Sequence, residues 1–122
     1  MADTSQFAGQ SYLNLETYRR SGQAMPTPVW FVEDGGAYYI RTLRNAGKVK
    51  RVRNNSQVRV MPCGRSGEPR GAWVAARAAV VDDSAMATRV DGLLNRKYGL
   101  MERIFDLLQR GRGQDVIRVE ID

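Results

Sequence analysis

Apolar and polar residues alternate along most of the chain with the two-residue period of β-strands. In a first strand, over residues 12–18, Leu13, Leu15 and Thr17 share one face. Similar alternation predicts further strands at about residues 27–33, 37–42, 57–62, 72–81 and 116–121. In the strand at 72–81 both rows of residues are largely apolar, so we expect both of its faces to be covered.

Turn and capping residues separate these strands and mark the helices. Asp34-Gly35-Gly36 predicts a tight hairpin, because glycine accepts a positive φ. Asp83 or Ser84 can cap a helix that ends at Gly99. The stripe of that helix is formed by Met86, Val90, Leu93, Leu94 and Lys97.

A second helical segment follows, with Leu100, Ile104, Leu107 and Leu108 on one side. The predicted order is therefore β-β-β-α-β-β-α-α-β. Six strands with few helices favour a mainly β fold, a small barrel or curled sheet, over alternating βαβ units.

A short basic helix after residue 42 carries the first candidate chemistry. Two faces are predicted from its spacing, a basic one with Arg44, Lys48 and Arg51 and an apolar one with Ala46, Val49 and Val52. Gly47, the N–H groups of the first turn and the Thr42 hydroxyl could complete a phosphate site. A solvated basic helix without a ligand explains the same charges equally well.

Pro26 and Pro28 flank Thr27 in the second predicted strand. Proline cannot donate a hydrogen bond to a neighbouring strand, so we expect this strand at an edge or beside a ligand. Its free backbone groups could meet the polar edge of a planar heterocycle, with Trp30 packing nearby. The alternative for Trp30 is an ordinary core aromatic.

Length and composition set the domain organisation. The 122 residues, of which 43% are hydrophobic, are expected to form one domain over residues 11–122 after a flexible polar arm over residues 1–10. A chain of this size encloses a cofactor poorly, which favours a partner subunit. No run of about 18 apolar residues and no leader pattern is present, so the expected location is cytoplasmic, without membrane contact.

The net charge of +6 raises the question of nucleic acid, but the basic residues are dispersed and no nucleic-acid module is recognisable. A small anionic ligand needs the same charge, and nucleic-acid binding stays an unlikely alternative. The sequence has no histidine, which argues against a zinc or other metal site and against hydrolases with a catalytic histidine. Cys63 follows a strand, where a buried hydrophobic role is expected.

Six segments together resemble one family: Tyr12 to Thr17, Pro26-Thr27-Pro28-Val29-Trp30-Phe31-Val32, Tyr39-Ile40-Arg41-Thr42, Gly47-Lys48-Val49-Lys50-Arg51, Val60-Met61-Pro62-Cys63 and Lys97-Tyr98-Gly99. They are similar in order and content to the pyridoxamine 5′-phosphate oxidase-like split β-barrel superfamily. More narrowly, they resemble its flavin/deazaflavin oxidoreductases of the B type, small proteins described as coenzyme F420-dependent oxidoreductases.

The resemblance implies a six-stranded antiparallel split β-barrel of the FMN-binding type, assembled as a homodimer with two cofactor sites between the subunits. It implies hydride transfer from reduced F420 to a small organic substrate, with FMN as the alternative cofactor. The residues implied at the phosphate are Thr42, Ala46, Gly47, Lys48 and Arg51. Those implied along the ring are Thr27, Pro28, Val29 and Trp30.

Other features of the implied site stay open. Related chains often have serine where this one has Ala46, so one hydroxyl donor to the phosphate is missing. Trp73 and Tyr98 are candidates to complete the site from the opposite subunit. No catalytic side chain is assigned, since the cofactor carries the chemistry, although Tyr38, Tyr39 and Tyr98 could donate a proton. A carboxylate-bearing tail could meet Lys50, Arg53, Arg59 and Arg65. A binding protein without turnover is a further alternative.

Overall fold

A computed structural model describes residues 4–44, 46–99 and 114–122. Within them the strands are β1 Tyr12–Tyr18, β2 Ala24–Val29, β3 Val32–Asp34, β4 Ala37–Leu43, β5 Gln57–Cys63, β6 Val74–Val81 and β7 Gln114–Ile121. The helices are α1 Gly47–Asn54 and α2 Ser84–Tyr98, preceded by a short 3-10 helix, Ser5–Phe7. Neither α1 nor α2 has the length and apolar character needed to cross a membrane.

All described strands pair antiparallel in one sheet with the order β2-β1-β5-β6-β7-β4-β3. The strands at its two edges, β2 and β3, are consecutive in the chain and are joined by Trp30 and Phe31. A link this short brings the two edges together, so the sheet curls back on itself. This is the predicted mainly β split-barrel fold.

Two apolar clusters cover the two faces of the sheet, and β4 shows why. Its alternate residues Tyr38 and Ile40 belong to the cluster inside the curled sheet, while Ala37 and Tyr39 belong to the cluster outside it. Helix α1 adds buried residues to the inner cluster, and α2 adds Val90 and Leu94 to the outer one. Each helix therefore covers one side of the same strands.

The second predicted strand, residues 27–33, is two strands in the structure. It begins earlier, at Ala24, and is interrupted at Trp30 and Phe31, where the chain crosses from one edge of the sheet to the other. Phe31 turns into the core and is 2% exposed. The strand count of six was therefore one too low. The edge position expected from Pro26 and Pro28 is confirmed, since β2 pairs with β1 on one side.

The structure also tests the predicted ends of α2 and the predicted burial of β6. Asp83 caps α2 by accepting hydrogen bonds from the backbone N–H groups of Ala85 and Met86, and Gly99 follows the helix with a φ of +60°. The expectation that both faces of β6 are covered is wrong for this chain, because Ala75, Arg77 and Ala79 are exposed. The helical segment predicted over residues 100–108 lies outside the described residues.

The start of the chain contributes to the inner cluster. Phe7 is 3% exposed and packs edge-on against Phe31, with 6.2 Å between the ring centroids. Gln6 exchanges two hydrogen bonds of 2.9 Å with the backbone of Ala72. The domain boundary at residue 11 and the flexibility of residues 1–10 stay predictions.

Candidate functional site

A cavity of about 480 Å³ lies where the open edge of β2 approaches the end of β4 and the start of α1. Its volume is in the range of small-molecule and cofactor sites. The lining residues are Tyr12, Thr27, Pro28, Val29, Trp30, Arg41, Thr42, Leu43, Ala46, Lys48, Arg65 and Leu94.

Most of the residues assigned to a cofactor site by resemblance lie in this wall. The ring-contacting set, Thr27 to Trp30, forms one side, and Thr42, Ala46 and Lys48 form another. Gly47 and Arg51 are not part of the wall. Sequence reasoning missed Tyr12, Arg41, Leu43 and Leu94, whereas Arg65 was expected near the tail of a ligand and does line the cavity. Leu94 comes from α2, more than fifty residues from Leu43, and no local pattern connects them.

The side of the cavity formed by β2 is open because this strand has no second neighbour among the described strands. Its residues alternate between exposed and half-buried, with Pro26 and Pro28 exposed and Thr27 and Val29 half-buried. Backbone groups on the outer edge of such a strand are available to a ligand or another chain.

Lys48 is the central cation of the opposite wall. It is half-buried, and no acidic residue in the described parts of the chain forms an ion pair with it. Burial lowers its pKa below the usual lysine value, and the nearby positive charge of Arg51 lowers the pKa further. Beside it, the buried Thr42 makes no side-chain hydrogen bond to any described residue. These groups are suited to an anion.

Arg51 lies in the last turn of α1, outside the cavity wall. Its Nε donates a hydrogen bond of 2.6 Å to Oγ1 of the fully buried Thr17. A Cβ atom on Gly47 would be 2.6 Å from Nη1 of Arg51. The space above Gly47 therefore holds the guanidinium, rather than being left for the close approach of a phosphate that the glycine suggested.

The positive charge continues from Arg51 toward the β1–β2 turn. Burial lowers the pKa of Arg51, and the charge of Arg19 lowers it further. Lys48, Arg51 and Arg19 therefore form a series of neighbouring cations, which we call the cation series. Neighbouring like charges destabilise one another, and an anion placed among them relieves that repulsion.

Several other basic residues are neutralised within the chain. Arg44, predicted on the basic face, precedes α1 and is directed to Asp115, with 3.3 Å between Nε and Oδ1. Arg53 pairs with Asp82 at 3.8 Å, and Arg59 pairs with Glu16 at 2.7 Å. Arg53 and Arg59 were expected to meet a ligand tail, and the structure directs them to carboxylates instead.

The C-terminal end of α2 holds the Trp30–Phe31 link. The Phe31 N–H donates to the Tyr98 hydroxyl at 3.0 Å, and the hydroxyl lies within donating distance of the carbonyls of Phe31, at 2.9 Å, and Ser11, at 2.8 Å. The Tyr98 ring stacks on Trp30 at 4.5 Å between centroids and 13° between planes. Trp30 is thus half-buried between Tyr98 and the cavity, not an ordinary core aromatic.

Lys97 supports the same link. Its Nζ donates to the Phe31 carbonyl at 2.7 Å and lies 3.7 Å from the centroid of the Phe31 ring. Although the residue as a whole is exposed, burial of its ammonium lowers the pKa of Lys97 to about 8.

Four other residues singled out in the sequence do not line the cavity: Trp73, Tyr38, Tyr39 and Cys63. Trp73 is half-buried under the guanidinium of Arg59, 5.0 Å from its ring centroid. Tyr38 and Tyr39 are each 4% exposed and do not line the cavity. Cys63 is 1% exposed, and burial raises the pKa of its thiol, as expected of a cysteine that packs as a hydrophobic residue.

A family model described as pyridoxamine 5′-phosphate oxidase matches residues 4–122. The chain belongs to this family. No curated protein gives a significant match.

Solved structures extend the likeness of this pyridoxamine 5′-phosphate oxidase family member. HutZ, the heme storage protein from Vibrio cholerae, is 18% identical with a TM-score of 0.75, over 97% of this chain and 86% of HutZ. A protein named F420 Reductase is 16% identical with a TM-score of 0.63, over 100% of this chain and 96% of that protein. General Stress Protein 26 from Bacillus anthracis is 20% identical with a TM-score of 0.68, over 98% and 85%. At these identities the likeness shows the fold alone.

In this family member, Lys97 should make stability increase with pH. Its folded pKa of about 8 lies below the value of about 10.4 for an unfolded chain. Between these values the unfolded chain binds more protons, so the free energy of unfolding rises with pH. We expect the difference between wild type and Lys97→Met to grow from about pH 8 to about pH 10 in urea unfolding.

Val116→Ala is the control, because it removes buried apolar atoms and no titrating group. Its difference from wild type should stay constant over the same pH range. A constant difference for Lys97→Met as well would show that the folded protein does not perturb this amine.

Proposed function

We propose that the chain is an oxidoreductase that binds reduced coenzyme F420 in this cavity and presents its ring to a small organic substrate. The observation that carries the proposal is Lys48, a half-buried amine in the wall of a cofactor-sized cavity, without an acidic partner among the described residues. A buried cation without a counter-charge is costly, and a bound phosphate supplies that charge.

The residues present fit such a cofactor. A planar ring has a flat, mainly apolar wall available in Pro28, Val29 and Trp30, with the open backbone edge of β2 beside it. The phosphate has Lys48 and the Thr42 hydroxyl, together with the start of α1. Ala46 provides no side-chain hydrogen bond at that start, so the missing serine of related chains is not replaced by another cap.

The cofactor, when bound, supplies the hydride. The chain's residues bind and orient it and restrict water on the covered side of the ring. A proton can come from solvent or from a side chain. Among the five tyrosines, Tyr12 lines the cavity, whereas the Tyr98 hydroxyl is engaged with Phe31 and Ser11. Tyr12 is therefore a better candidate for a proton donor than the tyrosines suggested by the sequence.

The cation series supports F420 over FMN. FMN ends at its phosphate, which Lys48 and Thr42 can hold. F420 continues into a tail with carboxylates, and Arg51 and Arg19 extend the positive charge beyond the phosphate position. Arg65, in the cavity wall, is another available cation. FMN remains the alternative cofactor, and a binding protein without turnover remains the alternative activity.

Lys48→Ala should weaken cofactor binding by about 1.5–3 kcal/mol, the usual contribution of a hydrogen bond to a charged group. The fold should survive, because the side chain supports no described contact in the core. Titration of the purified protein with F420 and FMN, followed by fluorescence, measures the change.

Lys50→Ala is the matched control for binding of FMN, which has no tail, since Lys50 is exposed on the same helix and does not line the cavity. Unchanged affinity in Lys48→Ala, in a folded protein, would remove the phosphate assignment. A substrate turnover assay on the loaded wild type separates an enzyme from a binding protein.

Arg19→Gln should weaken F420 binding and leave FMN binding nearly unchanged. Exposed charges are screened over about 8 Å at physiological ionic strength, so F420 affinity in the wild type should also fall more steeply with salt. We expect Arg19→Gln to make the F420 slope shallower in titrations at several salt concentrations.

Arg20→Gln, a change at the neighbouring exposed arginine, is the control and should leave that slope unaltered. Equal slopes for F420 and FMN in the wild type, or tighter binding of FMN throughout, would favour FMN as the cofactor.

The protein should form a two-fold homodimer with each cofactor contacting both chains. Support comes from the cavity itself, which is open beside the unpaired edge of β2, so a single chain covers one side of a flavin-sized ligand. Analytical ultracentrifugation should give twice the mass of one chain at micromolar concentration. A monomer that binds the cofactor at full affinity would contradict this assembly.

A further inference from the structure

Trp30 connects the cavity to the end of α2. It lines the cavity, and its ring also lies nearly parallel against the Tyr98 ring. Tyr98 itself does not line the cavity. Tyr98 therefore acts on a bound ring through its neighbours, and Trp30 is the wall residue on which its ring stacks.

The backbone beside Trp30 has no strand to hold it. Trp30 and Phe31 fall between β2 and β3, and Phe31 is 2% exposed. A buried peptide group without a hydrogen-bond partner is costly. Here two side chains take the place of a neighbouring strand: Tyr98 pairs with the N–H of Phe31, while Tyr98 and Lys97 both approach its carbonyl.

Helix α2 itself is fixed at this end. Leu94, one turn before Tyr98, is 2% exposed and belongs to the cavity wall. The helix closes after Tyr98 with a hydrogen bond of 2.8 Å from the Gly99 N–H to the Asn95 carbonyl. The end of a helix, rather than a loop, therefore carries the groups that hold the link.

We propose that Tyr98 is a positioning residue, whose hydroxyl fixes Phe31 and whose ring fixes Trp30 as a flat wall for the planar part of the ligand. Lys97 assists by holding the Phe31 carbonyl. The proposal rests on the proposed function for the identity of the ligand, but not for the arrangement of Trp30.

The test uses a Trp73→Phe background, because Trp30 and Trp73 are the two tryptophans of the sequence. The fluorescence of Trp30 then reports on the exposure of this side chain in the cavity wall without any ligand. Tyr98→Phe removes the hydroxyl and keeps the stacked ring, and Tyr98→Leu removes both. We expect acrylamide quenching of Trp30 to increase in the order background, Tyr98→Phe, Tyr98→Leu.

Ring binding gives a second readout, with riboflavin and FMN as probes. Tyr98→Phe should leave Trp30 correctly placed in a smaller fraction of molecules. The apparent affinity for each probe falls in proportion to that fraction, and we expect a decrease of about threefold to tenfold. Both probes should lose affinity by the same factor, because their shared ring is affected. Lys48→Ala should instead weaken FMN alone.

The outcomes separate the two proposals. Failure of both probes and of F420 to bind the wild-type protein would overturn the proposed function, while quenching would still decide the role of Tyr98. Unchanged quenching in folded Tyr98→Phe would overturn that role, and Lys97→Met provides an independent variant if Tyr98→Leu does not fold. Equal losses in Val116→Ala, which destabilises the same apolar cluster, would also overturn it.

Discussion

The structure depends on the two-residue connection between β2 and β3. These strands occupy opposite ends of the hydrogen-bonded order, yet Val29 and Val32 are only three residue steps apart, or about 11 Å at full extension. A flat sheet of seven strands would separate its edges by about 29 Å, more than twice that distance. The sheet must therefore curl. The enclosed interior, the seam where the edges β2 and β3 meet, and the cavity all result from that closure.

The cavity lies at this seam for a related reason. Proline in β2 disfavours pairing along one edge, which has no neighbour among the described strands. Helix α1 begins close to that edge with basic residues and no acidic residue in its first turn. The same closure that satisfies the backbone elsewhere leaves a polar edge and a group of cations facing one space. Apolar residues of β2 and α2 complete the wall. The site is thus a consequence of how the sheet closes.

Local patterns in the sequence were sufficient to predict the strands that alternate regularly, such as β1. They were also sufficient to predict α2, whose cap and terminal glycine are short-range signals. They were insufficient at Trp30 and Phe31, because the break there depends on Tyr98 and Lys97, far along the chain. Sequence patterns also did not show which basic residues form ion pairs. Arg59 is neutralised by Glu16 through a strand pairing, whereas Lys48 has no acidic partner among the described residues, and spacing alone does not distinguish them. The resemblance to a family placed the cavity better than periodicity did.

Arg51 has a further consequence for the speed and selectivity of ligand capture. Its guanidinium is already held by the buried hydroxyl of Thr17 and lies over Gly47, so its rotamer is restricted before any ligand arrives. Under the proposed function, an incoming anion would meet an oriented donor, and the protein would lose less side-chain entropy on binding it. The same anchorage limits how far the guanidinium can follow a misplaced ligand. The start of α1 would thus behave as a rigid template that discriminates among anions by shape, rather than as a flexible arm that adapts to any negative charge.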